Sequence, residues 1–264
     1  MKKIHSLTIW ILLTLVFGFI SCDNDNENIK GTTSVEIRLT DAPAQYDAVN
    51  INIQSVALHV NSDWIELNLL KTGIYNLLEL QNGVDVLLAN EDVPIGKISQ
   101  IRLILGNEGN SVVKDGQRYE LETPSAQQSG LKLNLHDELV SNIVYRLWID
   151  FDATRSIVET GSGKFQLKPV IRTYTDATSG SIKGFVLPQE ANAIVWAILG
   201  TDSVLAHPRL NDGYFLISGL QPSHSWKVVF EADKASGYKD HELSEISVVT
   251  EQVNDLGNIT LTKE

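Results

Sequence analysis

From residue 33 onward, apolar and polar residues alternate along most of the chain with a period of two. "SVEIRLT" places Val35, Ile37 and Leu39 on one face and Glu36 and Arg38 on the other. "AVNINIQSVALHV" repeats this with Val49, Ile51 and Ile53, and "SQIRLIL" sets Ile101, Leu103 and Leu105 against Gln100, Arg102 and Ile104. "GLKLNLH" opposes Leu131, Leu133 and Leu135 to Lys132 and Asn134. "VYRLWIDFD" opposes Leu147, Ile149 and Phe151 to Arg146, Trp148, Asp150 and Asp152. A period of two is the signature of a pleated strand with one buried face. Asp115-Gly116, between "SVVK" and "QRYELET", predicts a tight hairpin. Helix signals are few, and "NGVDVLLAN" and "ATRSIVE" are each predicted to form about two helical turns.

"TDATSGS" (175–181) is small and polar and predicts a linker. A second all-β pattern follows it: "GSIKGFVL", "AIVWAIL", a "DGYF" turn, an aromatic-led strand and a final strand. In that pattern Trp226 and Phe230 are in phase with Val228 and belong to a core.

The amino terminus follows a different rule. Lys2 and Lys3 precede an uncharged apolar run of 14 residues, Leu7–Ile20. A spanning helix needs about 20, so the run reads as the hydrophobic region of a signal peptide. The only cysteine, Cys22, stands directly after Ser21 at the end of this run. A small residue before a cysteine at that place resembles the bacterial lipobox, with Phe19 where leucine is usual. The resemblance implies cleavage before Cys22 and acylation of its side chain and amino group, which would hold the chain firmly on a membrane. The acidic, Asn-rich stretch after it (residues 23–28) is similar to the tethers and surface-export signals of Bacteroidetes lipoproteins, and by composition is a flexible linker.

A single cysteine excludes an intramolecular disulfide. The net charge is −12, and removal of residues 1–21 takes away two lysines and no acids, bringing it to −14. With no basic run beyond Lys2 and Lys3, nucleic acid is excluded as an expected partner.

Catalytic signatures are absent: there is no G-x-S-x-G, HExxH, P-loop or dinucleotide fingerprint. The six histidines are scattered, and His59 and His136, each closing a strand, are expected at the surface rather than on a metal. No cofactor and no catalytic residue are expected. The densest polar group is "DFDATRS". Two residues of strand put Asp150 and Asp152 about 7 Å apart on one face. There they could hold Ca²⁺ or act on a sugar, or they could pair with Arg146, Arg102, Lys132 or Arg172 across the wet face of a sheet, which is the favoured expectation. Trp148 lies in the polar phase between Arg146 and Asp150 and would serve as a sugar-stacking platform, unless a loop or the second domain covers it. Trp64 follows a turn and is expected to be partly exposed. Strand-end loops add Gln127, in "TPSAQQSG", and Asp41, in "RLTDAP", where Arg38 and Asp41 could form a pair.

Two resemblances bear on architecture. "VEIRLTDAPAQYDAVNINIQSVALH", "IGKISQIRLIL", "IDFDATRSIV" and "FQLKPVIR" resemble the DUF4382 family of exported bacterial and archaeal proteins. Asp212-Gly213-Tyr214-Phe215 followed by Leu220-Gln221-Pro222, with Ser223 and Trp226 at the usual Gly and Tyr positions, resembles carboxypeptidase-regulatory-like (transthyretin-like) modules. The expectation is an all-β chain: a lipoprotein signal peptide (1–21), an acidic tether (22–32), and two antiparallel β-sandwich domains in tandem (33–175 and 180–264). Its expected role is a non-catalytic, outer-membrane lipoprotein, exposed at the cell surface and anchored by lipid, that binds glycan or a cell-surface protein. A structural, fimbrillin-like subunit and a glycan-active enzyme are the alternatives.

Overall fold

A computed structural model describes residues 31–42, 44–123 and 130–263. Cys22, the signal peptide, the tether before Gly31, Pro43 and Gln127 lie outside the described residues. Residues Gly31–Glu264 form one compact unit. No described helix is long and apolar enough to cross a membrane.

The unit's described residues are almost entirely β and form four sheets. In the first, four strands run in the order β13 (Ile171–Thr175), β10 (Val144–Asp152), β1 (Thr32–Ala42) and β5 (Val86–Pro94). The second has nine strands. Its path is β11 (Ile157–Glu159), β12 (Phe165–Leu167), β8 (Gln117–Glu122), β7 (Ser111–Lys114), β2 (Ala48–Val60), β6 (Gly96–Leu105) and β9 (Leu131–Leu139). The short strands β3 (Asp63–Leu67) and β4 (Gly73–Asn76) also pair with β2. One core lies between these two sheets. Val35, Ile37 and Leu39 contribute to it from the first, Ile51, Ile101 and Leu103 from the second, each fully buried in the predicted phase, while Leu58 is buried in the opposite phase after a register shift in β2 between Ile53 and Ser55.

The third sheet runs β17 (Tyr214–Leu220), β14 (Gly180–Leu187) and β20 (Val253–Thr260). The fourth runs β16 (Asp202–Ala206), β15 (Ile194–Leu199), β18 (Ser223–Glu231) and β19 (His241–Val248). Between them is a second core of Phe215, Trp226, Val228 and Phe230, as the aromatic phase predicts. The Trp226 indole nitrogen donates to the Gln221 carbonyl at 3.0 Å, so its one polar atom is satisfied on burial.

Three local expectations change. Residues 82–90 do not form a helix: after the turn at Asn82-Gly83, the segment becomes β5, pairing antiparallel with β1. Leu88, Ala89 and Val93 gain more from facing the core than from the helical preference of "VLLAN". "ATRSIVE" splits into one helical turn, α1 (Ala153–Ser156), and strand β11. "TDATSGS" is an ordered turn: Asp176–Thr178 form a single 3-10 turn, and the Ser179 hydroxyl donates to the Thr175 carbonyl at 2.6 Å before β14 begins.

Most pairings are antiparallel, but β1–β10, β8–β12 and β14–β20 are parallel, so the sandwiches are mixed. The Asp115-Gly116 hairpin forms as predicted, with φ of 53° and 74° joining β7 to β8.

Candidate functional site

The outer side of the first sheet meets the second half of the chain, and the predicted residues at that seam, Arg146, Trp148 and Asp150, all come from the first half. Trp148 on β10 stands opposite Tyr174 on β13, and the two rings stack at 5.8 Å and 8°. The Trp148 indole donates to Asp176 Oδ1 at 2.8 Å, while Arg38, its partner on β1, lies 5.8 Å from its ring. Charges of both signs surround it. Arg38 is held by Glu36 at 3.1 Å and Asp85 at 2.5 Å; Arg146 reaches Glu36 at 3.3 Å and Asp176 at 3.9 Å. Arg38 therefore does not pair with Asp41. Trp148 is half-buried rather than free, because Tyr174 and the turn after β13 cover part of it.

A groove of about 320 Å³ opens here, lined by Arg146, Trp148, Asp176, Ser218, Glu251 and Gln252 among others. An adjoining cavity of about 140 Å³ shares Trp148, Tyr174 and Ser218 and is lined in addition by Asp150 and Arg172.

Asp150 is not on a wet face. It is 6% exposed and paired with Arg172, its register partner on β13, whose Nε donates to Oδ2 at 2.6 Å. The same guanidinium donates to the carbonyls of Ser218 at 2.7 Å and Gly219 at 3.2 Å on β17, so one ion pair also ties the two halves together. Burial pushes the Asp150 carboxyl up, and Arg172 opposes that. Burial likewise raises the neighbouring Tyr174 phenol above its ordinary range. Gly219, at φ 68°, lies so close to the Tyr174 ring that a β-carbon there would collide with it.

Asp152 is also buried, and it caps α1. It accepts from the Arg155 backbone at 2.8 Å and pairs with the Arg155 side chain at 2.5 Å. Both carboxylates are thus committed to arginines within the fold, and neither is left facing a ligand across the groove.

Asp41 follows Leu39 in the inward phase. It is 5% exposed, with Oδ1 accepting from Ala153 N at 3.1 Å and Oδ2 without a hydrogen-bond partner among the described residues. Burial holds its carboxyl well above the usual range, and Asp150 adds to this.

The structure therefore places Arg146 beside Trp148 in the groove and Asp150 and Asp41 beside Trp148 at the adjoining cavity, while Asp152 caps α1. It adds Tyr174, Asp176 and Asn82, which the chain pattern did not single out. Asn82 spans the seam: its amide donates to the His207 carbonyl at 3.0 Å and accepts from Leu216 N at 3.3 Å. Of these, Asn82 alone carries a local signal, the Asn-Gly pair of a tight turn, which the helical reading of "NGVDVLLAN" passed over. His207 is half-buried beside Asn82, and the partial loss of water lowers its imidazole. Among the described residues, no group of three His, Cys, Asp or Glu side chains is placed to hold a metal ion. What remains is an aromatic platform flanked by Arg146, Asp176 and Gln252, a geometry suited to binding a polar ligand.

No curated protein matches the chain. Among solved structures, the TIE protein of Bacillus anthracis aligns at 9% identity and a TM-score of 0.23 over 88% of this chain, which spans only 35% of that protein's length. The shaft pilin SpaA of Lactobacillus rhamnosus GG aligns at 9% identity and 0.23, over 88% of this chain and 98% of the pilin. A minor pilin of Streptococcus agalactiae aligns at 9% and 0.22, over 87% and 96%. Likenesses at these scores bear on neither fold nor function. The sequence itself is decisive: residues 32–169, just over half of the chain, match the family described as "Domain of unknown function (DUF4382)", and the chain belongs to that family.

Proposed function

We propose that this chain is a non-catalytic lipoprotein of the outer membrane, displayed at the cell surface, whose seam groove binds glycan or another cell-surface component. The observation that carries the reading is the groove at Trp148. An indole stacked on Tyr174 and hydrogen-bonded to Asp176 is held rigid, so little conformational entropy is lost when a sugar ring packs on it. Arg146 and Gln252 stand at the rim to bond hydroxyls. The anchor rests on Ser21-Cys22 at the end of the apolar run, and the reading of the second half on its resemblance to carboxypeptidase-regulatory-like modules. The commitment of Asp150 and Asp152 to Arg172 and Arg155 supports binding over hydrolysis.

A glycan array probed with the full chain tests this. Trp148→Ala should weaken the strongest array signal by on the order of 1–3 kcal/mol, with the melting temperature held within a few degrees. An unchanged signal would rule the groove out. Cys22→Ala should move the protein from the membrane to the soluble fraction and abolish labelling by palmitate. Sedimentation with membranes and no labelling of the unaltered protein would refute the anchor.

A further inference from the structure

The outward face of the nine-stranded sheet carries a second aromatic site that shares no lining residue with the seam. Trp64 on β3 pairs with His59 on β2, His59 pairs with Gln100 on β6, and Gln100 pairs with Asn134 on β9. These four residues form one straight row across four strands, roughly 14 Å long at the usual strand spacing. A bulge in β6 between Ile98 and Gln100 turns Ser99 outward as well, and Ser99 and His136 flank the row. Together they line a shallow depression of about 430 Å³.

Trp64 is 40% exposed. Its ring is not loose: the Arg102 guanidinium stacks 3.9 Å from its centroid, and the His59 ring lies at 5.0 Å. Arg102 Nε is buried in that stack with no hydrogen-bond partner among the described residues, so packing beneath the indole costs the guanidinium a hydrogen bond. The polar groups beside the ring are half-committed. Gln100 Nε2 donates to Asn134 Oδ1 at 3.1 Å, and His59 Nδ1 bonds the Ser99 hydroxyl at 2.6 Å. Gln100 Oε1, Asn134 Nδ2 and His59 Nε2 keep bonding capacity toward solvent. In a chain of net charge −12, none of the lining residues is a carboxylate, a lysine or an arginine.

We infer that this row is a binding site for a short neutral oligosaccharide, one sugar ring stacking on Trp64 and the following rings laid along His59, Gln100 and Asn134. The chemistry selects that class. An exposed, rigid indole offers a flat apolar face to the carbon-hydrogen side of a pyranose. The amides and imidazole offer both donors and acceptors, which hydroxyls match and which a charged group would not fill. Arg102 is spent on the ring, and Lys132, its register partner on β9, does not line the depression, so the lining itself offers no cation to a sulfate or carboxylate.

The test is titration calorimetry on the full chain with neutral hexasaccharides of β-1,4-glucan, β-1,4-xylan and α-1,6-mannan, and a chondroitin sulfate hexasaccharide as the charged probe. At least one neutral hexasaccharide should bind. Trp64→Ala should weaken it roughly tenfold or more, and Asn134→Ala, which leaves the stack untouched, about threefold. Trp148→Ala, measured alongside, reports any binding that belongs to the seam. Four outcomes would overturn the inference: no neutral hexasaccharide binding, only the sulfated probe binding, Trp64→Ala binding like the unaltered chain, or a loss confined to Trp148→Ala. The last would assign the glycan to the seam and leave the earlier reading standing.

Discussion

Asp41 extends the inward phase of Val35, Ile37 and Leu39 by one step and so carries a carboxyl group into the end of an apolar core. With one oxygen unpartnered, ionisation there is costly, and the folded chain keeps the proton to a higher pH than the unfolded chain does. The stability that proton supplies is complete below the ordinary carboxylate range and is lost as pH rises through the raised value. Asp41→Asn keeps an oxygen for Ala153 N and removes the titration. It should raise stability at pH 8 by roughly 1–3 kcal/mol and flatten the decline above pH 4, read by denaturant melts across pH. Equal stabilisation at every pH would show that Asp41 does not titrate in this window. Other residues were only half legible. The alternation correctly set Trp148, Asp150 and Asp152 opposite Leu147, Ile149 and Phe151. It could not show that this face is covered, because the cover comes from residues such as Ser218 and Gly219, some 70 positions on and linked by no local pattern.

Strands were legible wherever one face is buried and the other wet, because the period survives only there. β1, β2, β6 and β10 show it, and each appears where the pattern placed it. β5 was misread because a run of Val, Leu, Leu and Ala satisfies a helix and a strand equally, and a partner strand distant in sequence made the choice. The β7–β8 hairpin was plain because its turn chemistry is local. Gly116→Val should therefore cost about 1–2 kcal/mol by forcing a branched residue to φ 74°, read as a lower denaturation midpoint with unchanged far-ultraviolet dichroism. No change would mean that the turn relaxes to another type. Edge strands speak to the fimbrillin-like alternative. β19 is an outer strand whose pairing with β18 is broken by two register shifts, and it carries Glu242 and Glu245. Such an edge discourages the addition of a strand from another copy.

At the scale of the whole molecule, two cores are joined by a seam that is largely polar. Arg172 is its central tie, satisfying Asp150 and two carbonyls of β17 at once. Arg172→Ala would strand a buried carboxylate and should destabilise the chain by about 3–5 kcal/mol, whereas Asp150→Asn with Arg172→Met should cost clearly less. Chemical denaturation of the two variants decides this; equal losses would mean that the pair contributes by packing alone. The parallel pairings have a consequence of their own, in time rather than in space. β1 cannot complete its sheet until β10 exists, and β14 waits for β20 in the same way. Each sandwich is closed by a strand made near the end of its own segment, so early segments must stay unpaired while the rest is produced, and closure over such long separations is slow. A chain stopped at Thr250 would have a complete first sandwich and a second whose opening strand keeps a bare edge. It should clump at concentrations where the full chain stays clear, as light scattering would show.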